Sequence, residues 1–119
     1  MRKWLDSAVH HKRLPSWFRQ EIPRDAGFIK NRLKEFENSG LNTVCVSAKC
    51  PNINSCFGDN SVTFMIMGSN CSRNCGFCAV SKGRLNPLEL SETYNLALTI
   101  NRLNLSYVVI TSVTRDDLP

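Results

Sequence analysis

No stretch of the 119 residues is apolar for long enough to span a bilayer as a helix. The opening MRKWLDSAVHHKRLPSW carries positive charge but lacks the continuous apolar segment of a secretory signal, so an intracellular chain is expected. The sequons Asn70-Cys71-Ser72 and Asn104-Leu105-Ser106 then carry no weight. Histidine is scarce: there are two, His10 and His11. Adjacent side chains diverge, and both lie far in sequence from any other ligand-type cluster, so they read as a solvated polar pair. Internal repeats and low-complexity tracts are missing, and no basic stretch is interleaved with aromatics, which removes the stacking platform of a single-strand nucleic-acid binder. What charge there is leans positive, 15 Lys/Arg against 10 Asp/Glu, with nine against five in residues 1–40. Such an excess favours acidic partners in general and is also what an ordinary solvated surface carries.

Against these absences stand six cysteines, all between positions 45 and 78. They form two triplets, Cys45, Cys50 and Cys56 in TVCVSAKCPNINSCF, and Cys71, Cys75 and Cys78 in NCSRNCGFCAV. Neither triplet has a fourth cysteine. In a reducing compartment such clusters are metal ligands before they are disulfides. Structural zinc asks for four Cys/His ligands, usually as two pairs, and closes its shell. A four-iron cluster suits C-x3-C-x2-C better, because three irons take thiolates and the fourth stays open for a substrate or cofactor. Gly76 would relax the loop where it curls most tightly.

The patterning around the cysteines predicts an α/β chain. In GFIKNRLKEFENSG, Ile29, Leu33 and Phe36 recur at helical spacing, and Gly40 stands at the C-terminal cap. CVSAKCPNINSCFGDN, rich in Asn and Ser and broken by Pro51, reads as a loop wrapped around bound metal. VTFMIM is a buried strand whose end delivers the second triplet, LELSETYNLALTINRLN is a helix with Ser91 as its N-cap, and YVVITSV is a second strand. Strand, helix and strand over residues 62–113 make one right-handed βαβ unit of a parallel sheet. One unit is not a sheet, and the reading is of the first part of a longer chain.

These residues resemble a known family. Cys71, Cys75 and Cys78, with aromatic Phe77 before the last, are similar to the cluster loop of radical S-adenosylmethionine enzymes. LNTVCVSAKCPNINSCF resembles the C-x4-C-x5-C auxiliary-cluster segment of lipoyl synthases, YVVITSVTRDDLP resembles the strand and loop that follow in that family, and LPSWFRQEIP its opening segment. The chain departs from the family pattern in CVSAKC, where acidic residues usually follow the first cysteine, and at Phe57, where tryptophan is usual. Neither change removes a ligand.

The resemblance implies a partial (β/α) TIM-like barrel, with residues 1–60 an extension bearing the auxiliary-cluster loop and residues 61–119 the start of the barrel. Its implied cofactors are two 4Fe–4S clusters and S-adenosyl-L-methionine. Cys71, Cys75 and Cys78 would hold the cluster whose open iron chelates S-adenosylmethionine and cleaves it to a 5′-deoxyadenosyl radical, and Cys45, Cys50 and Cys56 the cluster that gives up sulfur. Phe77 would lie against the adenine, or simply cover the loop; Thr111, Ser112, Arg115 and Asp116 would face the cofactor or order the loops around it, or only cap a turn. The implied reaction inserts two sulfur atoms, at carbons six and eight, into an octanoyl group carried on a lipoyl-carrier domain of a 2-oxoacid dehydrogenase complex or on the glycine cleavage H protein. Reduced ferredoxin or flavodoxin would supply electrons, neither nucleic acid nor membrane is an expected partner, and the setting would be cytoplasmic. By the same resemblance the rest of the barrel and a C-terminal serine ligand are missing, so these residues alone would be inactive. Another two-cluster radical enzyme is the near alternative. A ferredoxin-like carrier needs four thiolates per cluster, and a zinc-dependent nucleic-acid module is favoured only by the charge.

Overall fold

A computed structural model describes residues 15–19 and 26–119. His10 and His11, with most of the opening segment, lie outside the described residues. Apart from a single 3-10 turn at Ser16–Phe18, the described chain begins with α1, Ala26–Asn38. Its register is the expected one: Phe36 is buried, Ile29 and Leu33 pack on the core beside it, and Gly40 takes φ +67°, ending the helix in the left-handed conformation that glycine adopts without steric cost.

A three-stranded sheet follows. β1 (Asn42–Thr43) pairs antiparallel with β2 (Ser61–Ile66), and β2 pairs in parallel with β5 (Tyr107–Ser112), giving the order β1-β2-β5. The crossover between the parallel strands is α4, Glu92–Arg102, so the strand–helix–strand unit expected over residues 62–113 is present. Acidic Glu92 in the first turn of α4 and basic Arg102 in the last both complement the helix dipole. Ser91 does not cap it: its hydroxyl donates to Glu89 Oε1 at 2.8 Å and makes no bond to the helix N–H groups. The short β1 is the unforeseen member of the sheet, because two residues carry no alternation to read.

The stretch read as a metal-ordered loop is instead two short helices, α2 (Val44–Ser47) and α3 (Ile53–Gly58). Their order has a source in the chain itself. The Thr43 hydroxyl accepts from Val46 N–H at 3.3 Å and starts α2, and Pro51 separates the two helices. Phe57 then locks α3 into the core with no exposed surface. Phe57 and Phe64 meet the Phe36 ring edge-on at 5.8 and 5.2 Å. Val62, Leu41, Leu96 and Cys45 complete a single cluster that joins α1, both short helices, β2 and α4. No helix among the described residues is long and apolar enough to cross a membrane.

Candidate metal centre

The two cysteine triplets are presented by different means. Cys45 sits on α2 and is buried in the core cluster, Cys50 follows in the turn, and Cys56 lies on α3 next to Phe57. Cys50 N–H donates to Cys45 O at 3.0 Å, and Cys56 N–H to Asn52 O at 3.0 Å, so the backbone carrying the first triplet is held by its own hydrogen bonds.

The second triplet is reached through an abrupt turn at the end of β2. Met67 and Gly68 take φ +68° and +99° in succession, which turns the chain out of the sheet. A non-glycine residue held there is unusual, and the peptide groups of Met67 are taken up by side chains from elsewhere. Met67 N–H donates to Glu92 Oε2 at 2.8 Å, and Met67 O accepts from Arg115 Nη1 at 3.0 Å. Arg115 is in turn held by Asp117 through two bonds of 2.9 and 2.8 Å, and its side chain is only 5% exposed. The mutual pairing raises the Arg115 pKa and lowers that of Asp117.

Beyond the turn, β3 (Asn70–Cys71) pairs in parallel with β4 (Ser81–Lys82), so the residues between them form a closed loop carrying all three thiols. Asn70 Nδ2 donates to Arg84 O at 2.8 Å, and the Lys82 ammonium donates to Cys78 O. Gly76 does not adopt a positive φ; the glycines that do so near the triplet are Gly68, before it, and Gly83, after β4. Phe77 is 96% exposed on this loop.

The loop does not stand alone. Ile66 and Ser112 are register partners at the ends of β2 and β5, so the chains leaving both strands emerge together. Thr111 and Ser112 are exposed at that end. Ser72 N–H donates to Thr114 O at 3.0 Å, and Thr114 N–H donates to Cys71 Sγ at 3.4 Å. Asp116 accepts from Ser72 Oγ at 2.6 Å and from Arg73 Nε and Nη2 at 3.1 and 3.0 Å, while its own N–H donates to Ser72 Oγ at 3.2 Å. The Arg73 guanidinium, aided by Ser72, pulls the Asp116 carboxyl down to about 2. Backbone N–H groups, that of Arg73 first and then that of Thr114, hold the Cys71 thiol below its ordinary range. Sequence reading singled out Asp116 and Arg115 without seeing these partners, and it missed Ser72, Arg73 and Glu92 altogether. No local signal names them, since each bond closes a separation of 25 to 48 residues.

All six cysteines are free. Among the described residues no three His, Cys, Asp or Glu side chains converge closely enough to hold one metal ion. A cube makes a different demand, since each thiolate binds its own iron and the sulfurs stand apart around one face. Three thiols on one short loop, one already receiving an N–H bond and shifted toward thiolate, fit that donor set.

Relatives with known names match nearly the whole chain. A lipoyl synthase of Hydrogenovibrio crunogenus is 50% identical over 106 residues, which is 87% of this chain and 34% of that protein. One of Alkaliphilus metalliredigens is 50% identical over 109 residues, 90% of this chain and 37% of its own length. Over the matched residues the chain is similar to lipoyl synthases. A lipoyl synthase of Coxiella burnetii is 48% identical over 106 residues, covering 89% of this chain and 33% of the relative. The chain thus spans about a third of the length of the lipoyl synthases it matches. No protein-family model matches it.

Proposed function

We propose that this chain supplies the cluster-binding part of a lipoyl synthase, the enzyme that inserts sulfur at carbons six and eight of a protein-bound octanoyl group. The observation that carries the reading is the pairing of two separately built thiol triplets, one on α2 and α3 and one on the closed loop leaving β2, in a chain about half identical to lipoyl synthases. Cys71, Cys75 and Cys78 hold a 4Fe–4S cluster with one open iron for S-adenosyl-L-methionine, and Cys45, Cys50 and Cys56 hold the auxiliary 4Fe–4S cluster. When bound, these groups supply reductive cleavage of the sulfonium and the two sulfur atoms that enter the substrate.

The rest falls to the protein. The turn at Met67 and Gly68 aims the second triplet out of the C-terminal end of the β2–β5 pair, the end at which sites of (β/α) barrels are built. In this reading residues 61–119 begin such a barrel and residues 1–60 form the extension carrying the sulfur-donor cluster. Exposed Phe77 offers an apolar face to the adenine. Thr111 and Ser112 offer hydroxyls at the same end, and Asp116 orders the loop beside them. The substrate is an octanoylated lipoyl-carrier domain or glycine cleavage H protein, and reduced ferredoxin or flavodoxin delivers electrons. Six free thiols that must stay reduced to bind iron favour the cytoplasm.

The test is anaerobic reconstitution with iron and sulfide, read by metal analysis and Mössbauer spectroscopy. Two cubes are expected, with Cys71→Ala losing one cube and the response to S-adenosylmethionine while keeping the other. Colourless stoichiometric zinc binding, or loss of both cubes in that variant, would overturn the assignment.

A further inference from the structure

The loop that carries the second triplet and the segment after β5 are joined by six hydrogen bonds between residues 71–73 and 114–116. Four of them involve the Asp116 carboxylate or its peptide N–H, and the remaining two run from Ser72 N–H to Thr114 O and from Thr114 N–H to Cys71 Sγ. The innermost bond is the Thr114 N–H on Cys71 Sγ. It spans 3.4 Å and depends on Cys71 lying where the neighbouring bonds hold it. Arg73 and Asp116 are themselves well exposed, at 63% and 50% of their side-chain surface, so the pair braces the loop at its solvent-facing surface.

We propose that Asp116 is a positioning residue for the cluster of Cys71, Cys75 and Cys78: by gripping Ser72 and Arg73 together it keeps the Thr114 N–H on Cys71 Sγ. The inference rests on the assignment of a cluster to that triplet. Hydrogen bonds to cluster sulfurs are one of the levers that set reduction potential. The sign follows from charge. Reduction adds an electron to the cluster, an N–H dipole aimed at the sulfur stabilises the more negative state, and losing that dipole makes the potential more negative. Asp116 therefore acts through the loop, its carboxylate bonded to Ser72 and Arg73. Its carboxylate is already saturated by a bidentate guanidinium and a hydroxyl, an arrangement that fixes direction as well as distance.

The experiment uses the reconstituted chain, labelled with 15N-threonine, and follows the reduced Cys71 cluster by pulsed electron paramagnetic resonance and by redox titration. In the unsubstituted chain a weak 15N coupling from the Thr114 amide is expected. Asp116→Ala should abolish that coupling and speed iron loss to a chelator; loss of the carboxylate charge and loss of the Thr114 N–H move the midpoint in opposite directions, so the coupling is the deciding readout for this variant. Asp116→Asn, which still accepts from Ser72, should weaken the coupling less. Arg73→Gln breaks the same brace from the other end, where loss of the cation and of the N–H both move the potential to more negative values, so the inference stays testable if Asp116→Ala does not fold. The signals of the Cys45, Cys50 and Cys56 cluster should be unmoved in all three. A cluster present with unchanged coupling in both Asp116→Ala and Arg73→Gln would overturn the positioning role alone. Failure of the unsubstituted chain to load that triplet would overturn the cluster assignment as well.

Discussion

Replacing Phe57 by alanine tests whether the first triplet is held by the core or by its metal. The side chain has no exposed surface, and its ring meets Phe36 at 5.8 Å with the planes at 88°, an edge-to-face pair. Truncating a buried phenylalanine to alanine costs about 3–5 kcal/mol, the cavity left behind included. A value of about 4 kcal/mol is expected here, because Phe57 touches a second aromatic and lies under a helix of only six residues. Against a total stability of about 5–15 kcal/mol for a domain, that is a large fraction. With a urea slope of about 2 kcal/mol/M, the midpoint should fall by about 2 M, followed by far-UV circular dichroism on the metal-free chain. There is a second, local consequence. A helix as short as α3 is not stable by itself, so without Phe57 it should fray and take Cys56 with it. Reconstituted Phe57→Ala should then lose iron from the Cys45, Cys50 and Cys56 site well before the Cys71 site. A midpoint shift under about 0.5 M, or equal iron loss from the two sites, would refute the argument that α3 is anchored by this ring.

Gly68→Ala should cost about 1–3 kcal/mol by strain alone, since φ is +99° and nothing crowds the added methyl, whereas Gly76→Ala, which is not left-handed, should change the urea midpoint little. The Asp116 carboxyl should titrate near pH 2 by carbon-detected NMR. Because its folded pKa lies below the unfolded value of about 3.9, its bracing is complete above about pH 4 and is lost as pH falls through about 2; Arg73→Gln should move the titration upward. In a complete lipoyl synthase containing this region, Cys50→Ala should still release 5′-deoxyadenosine but leave an octanoylated carrier peptide without sulfur, as read by mass spectrometry. Thiolation of that peptide with external sulfide excluded would show that the first cluster is structural rather than consumed.

What the sequence disclosed follows from which forces leave a local trace. α1, β2 and α4 each bury one side or both, so Ile29, Leu33 and Phe36, or the run VTFMIM, can be read without knowing the partner, whereas β5 is exposed apart from half-buried Val108 and was legible only from its β-branched run. The loop carrying Cys71, Cys75 and Cys78 was legible because its cysteine spacing is itself local. α2 and α3 are four and six residues long, too short for a period, and their stability resides in Thr43, Pro51 and a ring whose aromatic partner lies on α1. Composition alone then favoured a loop. The Ser91 cap failed for a different reason: a nearby carboxylate, Glu89, takes the hydroxyl that would have bonded the helix. The turn at Met67 shows the limit most plainly, since its N–H and C=O are met by Glu92 and Arg115, 25 and 48 residues away.

The two triplets therefore differ in what would move if their metal were disturbed. Cys45 and Cys56 stand on helices welded to Phe36, Phe57 and Phe64, so their backbone has a stable position whether or not a ligand is bound. Cys71, Cys75 and Cys78 stand on a loop with no apolar anchor of its own; Phe77, its one aromatic, points to solvent. That loop is held by polar bonds to residues 114–116, and such bonds can be exchanged for water at modest cost. In the proposed reading the sulfur-donor cluster sits on the core-anchored helices, which suits thiols that must keep their places as that cluster is consumed, and the S-adenosylmethionine cluster sits on the loop whose shape depends on the hydrogen-bonded brace from residues 114–116.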